Sequence, residues 1–204
     1  MKVGPLGPRE LDLAAGVLAR AFRDNPLNRA VIRAGDARRV RANRAGVRAY
    51  LPLALERAHV AAARADGRLL GVLVGTPPWR WPLPAPGPLG LLRLCFGQGF
   101  GVARRWAEVS RRLREHHPGQ PHWYLATLGV EPACWGRGAG HALLAELVSR
   151  VDADGSAAYL ETDRPELEPF YRSVGFAVRE RVEVYGVPVL LMERPARSDA
   201  PAAV

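Results

Sequence analysis

The chain has 204 residues, 48% hydrophobic and 24% charged, ordinary values for one globular domain with a full core. Its formal net charge is +9, carried almost wholly by arginine because Lys2 is the only lysine, and this suits an anionic ligand. Nucleic acid, membrane and metal are not expected as partners: no nucleic-acid recognition motif accompanies the charge, no run approaches the roughly twenty apolar residues that span a bilayer, and Cys95 and Cys134 form no metal or disulfide pattern.

Lys2 to Leu6 is read as a short first strand, and MKVGPLGPRELDL contains no secretory hydrophobic region, so a reduced, cytoplasmic protein is expected. Pro8-Arg9-Glu10 opens a helix with Leu11, Leu13, Val17, Leu18, Ala21 and Phe22 as its apolar residues. Arg23-Asp24-Asn25-Pro26 stops it. Asp36 to Arg57 reads as one long helix with an interruption near Pro52. Its arginines, Arg38, Arg39, Arg41, Arg44 and Arg48, are read as a solvated face. His59–Arg64 and Leu69–Val74 are two strands around the turn Asp66-Gly67, a strong hairpin signal.

Proline density between Thr76 and Pro88 forbids a helix or a central strand. Trp79 and Trp81 in this loop suggest burial, either as an aromatic wall of a ligand pocket or as pins into the core. Leu89 to His116 reads as helical, divided at Gly97, Gly99 and Gly101. In HHPGQPH, His116, His117 and His122 come close together. Their spacing fits no usual zinc pattern, and no cysteine joins them.

The most informative stretch is HWYLATLGVEPACWGRGAG, His122 to Gly140. A strand through Val130 breaks at Glu131-Pro132. Gly136, Gly138 and Gly140 then lead into a helix with Leu143, Leu144, Leu147, Val148 and Val151 at spacings of three and four. A strand, a glycine loop and a helix start together offer unpaired backbone N–H groups and the positive end of a helix dipole to a phosphate. The loop lacks the Lys-Ser/Thr of a nucleoside-triphosphate loop and the G-x-G-x-x-G of a dinucleotide fold. Taken alone, it also reads as a turn that closes a strand against a helix. Next come a strand at Ala157–Glu161, a short helix at Pro165–Ser173, and strands at Ala177–Tyr185 and Val187–Met192 hinged at Gly186. The end, PARSDAPAAV from Pro195 to Val204, has no apolar periodicity and is read as a frayed or disordered tail. Residues 1–194 are then a single domain, an α/β fold with a mixed, mostly antiparallel sheet flanked by helices.

Two stretches, Trp135-Gly136-Arg137-Gly138-Ala139-Gly140 and the later Phe170-Tyr171 with Gly175-Phe176, together resemble the GCN5-related N-acetyltransferase (GNAT) superfamily. The pattern HWYL, LGV and YLET followed by PFY and GF is similar to puromycin-type antibiotic acetyltransferases. The detailed match runs from about Pro118 to Glu193. Trp135 stands where the family motif has Gln or Arg, and Leu167 stands where it often has Asn.

The resemblance implies a sheet whose fourth strand, His122 to Val130, splays from the fifth. It implies acetyl-CoA as cosubstrate and direct attack by a primary amine of a small molecule. Backbone N–H groups from Trp135 to Gly140 would bind the pyrophosphate. The pantetheine arm would pair with Leu128, Gly129 and Val130, one of whose N–H groups would polarise the thioester oxygen. Tyr171 is by resemblance the general acid on the departing thiolate. Glu161, ending the fifth strand beside the splay, is the candidate base, with His122 second. Phe22, Asn25, Trp79, Trp81 and Tyr124 are candidate acceptor contacts. The helical piece after Leu89 is longer than the family core needs. It either caps the acceptor pocket or mediates a homodimer. Competing readings are a protein or peptide amine as acceptor, and a degenerate scaffold that senses coenzyme A or binds a partner.

Overall fold

The computed structural model describes residues 1–196. Of the tail expected from Pro195, all but Pro195 and Ala196 lies outside the described residues. Seven strands form one sheet: β1 (Lys2–Pro5), β2 (His59–Ala65), β3 (Arg68–Thr76), β4 (His122–Val130), β5 (Ala157–Thr162), β6 (Ala177–Val184) and β7 (Val187–Arg194). Their order is β1-β2-β3-β4-β5-β7-β6. Neighbours are antiparallel except for the parallel β4–β5 pair. A parallel pair needs a crossover, and α6 (Ala139–Ala153) supplies it.

Strand alternation sorts the core into two faces. On β2 and β3, Val60, Ala62, Val72 and Val74 face α1 (Leu11–Ala21) and α3 (Asp36–Arg57), where Leu18, Leu51 and Ala54 meet them. Ala61, Ala63 and Leu73 point the other way, onto Leu143, Leu144 and Leu147 of α6. A third cluster sits beside β5 and β7. There Leu27 and Val31 of α2 (Pro26–Val31) and Val109 of α5 (Phe100–Arg114) pack on Tyr159 and Leu191.

Two expectations about helices change. The long helix α3 is not interrupted at Pro52. Pro52 and Arg48, one turn earlier, are both exposed, so water can satisfy the carbonyl that proline leaves unbonded. The chain also turns helical again at Pro26, which the stop signal Arg23–Pro26 did not announce. Pro26 occupies the first helical position, and the Asp163 carboxylate accepts the Leu27 N–H at 2.8 Å.

The helical piece divides at Gly99, φ +95°, into α4 (Pro88–Gln98) and α5. It lies against α3 at small residues. A Cβ at Gly97 would come within 2.6 Å of Ala45 Cβ, so the two helices meet at the closest approach that glycine permits.

Candidate active site

The sheet opens where the sequence expectation put the splay. β4 pairs with β5 only from His122 to Leu125, against Ala157 to Leu160. On its other side β4 stays paired with β3 as far as Val130, opposite Gly71. The β3–β4 register slips between Val74 and Gly75, whose partners are Thr127 and Leu125. Ala126 is therefore an extra residue on β4, and such a bulge bends a strand away from its neighbour. Beyond it, Ala126 to Val130 line a cleft of about 520 Å³ that β5, the glycine loop and α7 (Glu168–Arg172) complete.

The glycine loop forms one wall. Gly136 and Gly138 have φ of +76° and +81°, a region glycine enters without strain. Gly138 is the N-cap of α6, and the helix's first backbone bond runs from Ala142 N–H to the Gly138 carbonyl at 3.0 Å. The N–H groups of Ala139, Gly140 and His141 thus precede the helical ladder and have no partner within it. Gly140 has ordinary van der Waals room for a Cβ, beside Phe170 and Val130, so its value is to keep the cleft wall bare. Gly129 is different. A Cβ there would lie 2.6 Å from Leu18 Cδ2 and 3.1 Å from Ala21 Cβ, so α1 presses directly on the open strand.

Tyr171 is buried on α7 with its ring in the cleft wall. Burial, and then the Asp163 carboxylate, push its hydroxyl well above the ordinary phenol range. It keeps its proton at any physiological pH. Glu161 lies across the cleft, near the end of β5. Its carboxylate accepts the Tyr124 hydroxyl at 2.9 Å and the Tyr159 hydroxyl at 3.2 Å. Desolvation first, and the Glu161 charge second, raise both phenols.

A second cavity, of about 610 Å³, lies beyond Glu161. Trp81, Trp106, Tyr124, Leu94, Leu113 and the prolines of the Thr76–Pro88 loop supply its apolar wall. Asn28 Oδ1 and Thr76 Oγ1 on its lining are buried without a hydrogen-bond partner among the described residues, and the Tyr50 hydroxyl lies beside Thr127. Buried polar atoms left unpaired are destabilising unless something meets them, and water or a ligand would do so here. The two cavities share Phe22, Asn25, Ala126, Thr127, Glu161 and Asp163. A ligand in one would therefore meet a ligand in the other at Glu161.

Residues 33–176 match the acetyltransferase (GNAT) family. The chain belongs to that family. Among solved structures, this GNAT chain is similar to histone acetyltransferase HPA2 and related acetyltransferase from Corynebacterium glutamicum, at 25% identity and a TM-score of 0.70, over 99% of this chain and 98% of that one. It shares its fold with the ribosomal-protein-S18-alanine N-acetyltransferase of Escherichia coli, at 13% identity, a TM-score of 0.60, and 100% and 98% coverage. The PaiA N-acetyltransferase of Thermoplasma acidophilum, solved with coenzyme A, matches at 15% identity, a TM-score of 0.61, and 95% and 98% coverage. Membership implies acyl-CoA-dependent acetyl transfer, and the GNAT residues present fit such a cosubstrate. The free N–H groups at α6 suit a pyrophosphate, and the unpaired edge of β4 suits an amide-bearing arm. Among the described residues, no group of three or more His, Cys, Asp or Glu side chains could hold a metal ion. No helix among them is long and apolar enough to cross a membrane.

Most sequence-derived positions converge on the two cavities, with three corrections. Leu128, Gly129, Val130, Gly136, Gly138, Ala139, Gly140, Glu161 and Tyr171 all line the cleft. Trp135 lines it too, but its backbone N–H already donates to the Pro132 carbonyl and its indole N–H to the Val130 carbonyl. Neither is left for a phosphate, so the N–H cradle begins at Gly136. Arg137 is exposed and its side chain does not form the cleft wall, which leaves the expectation for its backbone N–H unchanged. Trp79 is 80% exposed and reaches neither cavity, so only Trp81 of the pair, half-buried, joins the wall. The left-handed backbone at Trp79, φ +65°, turns its side chain outward. His122 lines neither cavity, which removes it as a direct base.

Phe22 and Tyr124 lie at the second cavity as expected, and so does Asn25, though its amide is engaged by Asp163 at 3.1 Å. Sequence reasoning missed Asp163, Tyr50, Thr76 and Asn28. It also missed Arg164, whose guanidinium lies 5.4 Å from the Trp135 ring centroid in the cleft mouth. The helical piece after Leu89 reaches the second cavity through Leu94, Gln98, Trp106 and Leu113.

Proposed function

We propose that the protein moves an acetyl group from acetyl-CoA to the primary amine of a small, partly apolar molecule, within a ternary complex. The observation that carries this reading is the meeting of the two cavities at Glu161. Acetyl-CoA would bring an acyl group activated as a thioester. N–H groups from Gly136 to His141 hold its pyrophosphate, and the open edge of β4 at Leu128 to Val130 aligns its arm. An N–H on that edge is the donor to the thioester oxygen. Tyr171 gives its proton toward the departing sulfur, and its raised proton affinity keeps it charged with that proton. Glu161, held by two phenols, takes the proton of the incoming amine.

The lining of the second cavity favours a small acceptor over a protein chain. Residues of the proline loop, α4 and α5 line it with apolar surface, which suits a ring-bearing molecule better than a polar peptide backbone. Aromatic walls with a few unpaired polar atoms suit a ring-bearing amine with hydroxyl or amide groups. The puromycin-type look of HWYL, YLET and PFY points the same way, to an antibiotic-like amine or a related metabolite. Calorimetric titration with acetyl-CoA is the first test, with Gly138→Asp as control. Micromolar binding that the control loses supports the cofactor cleft, and a thiol-release screen of aromatic amines then finds the acceptor. No binding by the intact protein sinks the reading and favours a degenerate scaffold.

A further inference from the structure

His117 is the buried titratable side chain that the mechanism above leaves unused. It follows α5, and its side chain is 2% exposed. Trp81 stacks on it, ring centroids 3.4 Å apart and planes 8° from parallel. Tyr124 and Tyr159 meet it edge-on at 5.0 and 4.9 Å. Its Nε2 lies 3.0 Å from Nε2 of His122, while its Nδ1 has no hydrogen-bond partner among the described residues. Oε1 of Glu161 is 3.9 Å from that bare nitrogen.

Hydrogen-bond logic fixes where the protons sit. His122 Nδ1 lies 2.6 Å from the Gln120 carbonyl, which can only accept, so His122 carries its proton on Nδ1. Neutral His122 then offers a lone pair on Nε2, and His117 must donate to it from Nε2. Neutral His117 is left with a lone pair on Nδ1, buried and facing Glu161. Burial disfavours a charged ring, so it is the carboxylate opposite that would favour a proton there.

We propose that His117 is the positioning residue behind Glu161, receiving on Nδ1 the proton that Glu161 takes from the acceptor amine. This rests on the proposed acetyl transfer. The amine N–H bond breaks as a Glu161 O–H bond forms; that bond then breaks as His117 Nδ1–H forms. Glu161 returns to a carboxylate, and the His117 imidazolium is held between it and the His122 lone pair. A 3.9 Å gap is longer than a hydrogen bond; catalytic contacts are commonly long without substrate and tighten when it binds. The groups around His117 agree. Glu161 and Tyr159 face it from β5, and His122 and Tyr124 from β4. Arg114 of α5 lies on Trp81, 5.5 Å from its ring centroid. Arg179 of β6 and Glu193 of β7 act on His122, with opposite signs.

Nitrogen-15 NMR of the histidine rings in the full chain tests this without knowing the acceptor. In the wild type at high pH, His117, assigned through its backbone, should show the Nε2–H tautomer with Nδ1 unprotonated. On acidification Nδ1 takes up the proton. In Glu161→Gln that midpoint should fall by about one pH unit, a tenfold loss of proton affinity, because the opposite charge is gone. An Nδ1–H tautomer in the wild type, or a midpoint that Glu161→Gln leaves unmoved, overturns the proposal. The wild-type tautomer decides even where the variant fails to fold. Acetyl-CoA binding by the same samples is read separately. Its absence sinks the transferase reading and leaves the histidine result standing on its own.

Discussion

Tyr171 and Glu161 divide the proton work because their surroundings differ. Tyr171 is buried on α7 with the Asp163 carboxylate nearby, and both influences keep its hydroxyl protonated. Glu161 receives two phenol hydrogen bonds that fix its orientation at the junction of the cavities. Tyr171→Phe removes the donor with little change of shape. Turnover should fall by roughly 10²-fold or more, the range of a general acid, while acetyl-CoA affinity stays near the wild-type value. Thiol-release kinetics beside calorimetry read the two effects separately, and unchanged turnover would take Tyr171 out of the mechanism. At the cleft mouth, Arg164 supplies a charge beside Trp135. Its Nε donates to Glu166 at 2.8 Å, and Arg164→Ala should weaken acetyl-CoA binding several-fold with little change in kcat, as expected of a charge that serves binding rather than the transfer step.

Elements take their positions from single close contacts. Gly129 lets α1 lie on β4, and Gly129→Ala would push its Cβ into Leu18, a fully buried side chain, and against Ala21. Overpacking of this kind is destabilising by about 1–3 kcal/mol, and the denaturant midpoint should fall accordingly. Glu10 fastens the first turn to β2. It accepts the Gly7 N–H at 2.8 Å and the Arg64 Nε–H at 2.8 Å. The Arg64 hydrogen bond, chiefly, holds its carboxyl below the ordinary value of 4.5. A lowered folded-state value means the unfolded chain binds the proton more readily, so the stabilisation is present above 4.5 and is lost as pH falls through the folded value. Glu10→Gln should therefore be less stable than wild type near neutral pH, and the difference should shrink in strong acid. A gap in thermal midpoints that stays constant with pH would show that Glu10 is not linked to folding.

The same scale shows what a linear sequence can carry. The α3 bounds, Asp36 and Arg57, and the strand–glycine–helix order are local patterns, and they were legible. The helix α2 was not, because its cap comes from Asp163, far along the chain. Trp135 could be named as a departure from the motif. That both its N–H groups are spent within its own turn needed coordinates. Trp79 and Trp81 look alike in sequence, yet one faces solvent and the other stacks on His117. His117 carried no signal of its own; the fold brings it to Glu161 by packing α5 beside β5.

At the level of the whole molecule, one sheet separates two tasks. The glycine loop and the open edge of β4 line one cavity, and α3, α4 and α5 line the other. Each should therefore be open to change without the other. Gly97 is a place to test this, since it touches Ala45 on α3 and lies in neither lining. Its neighbour Gln98, buried at 5% exposure, and Leu94 one turn earlier do line the second cavity. Gly97→Ala sets a Cβ 2.6 Å from Ala45 Cβ, a rigid atom, so α4 must move off α3. The fold should lose about 1–3 kcal/mol. The acceptor KM should rise while acetyl-CoA affinity is unchanged, because the helix that moves borders one cavity and not the other. Titration with acetyl-CoA and acceptor saturation curves on the same preparation decide it. Equal loss of both would mean that the two cavities are mechanically one, and that α4 supports the cofactor cleft through the sheet.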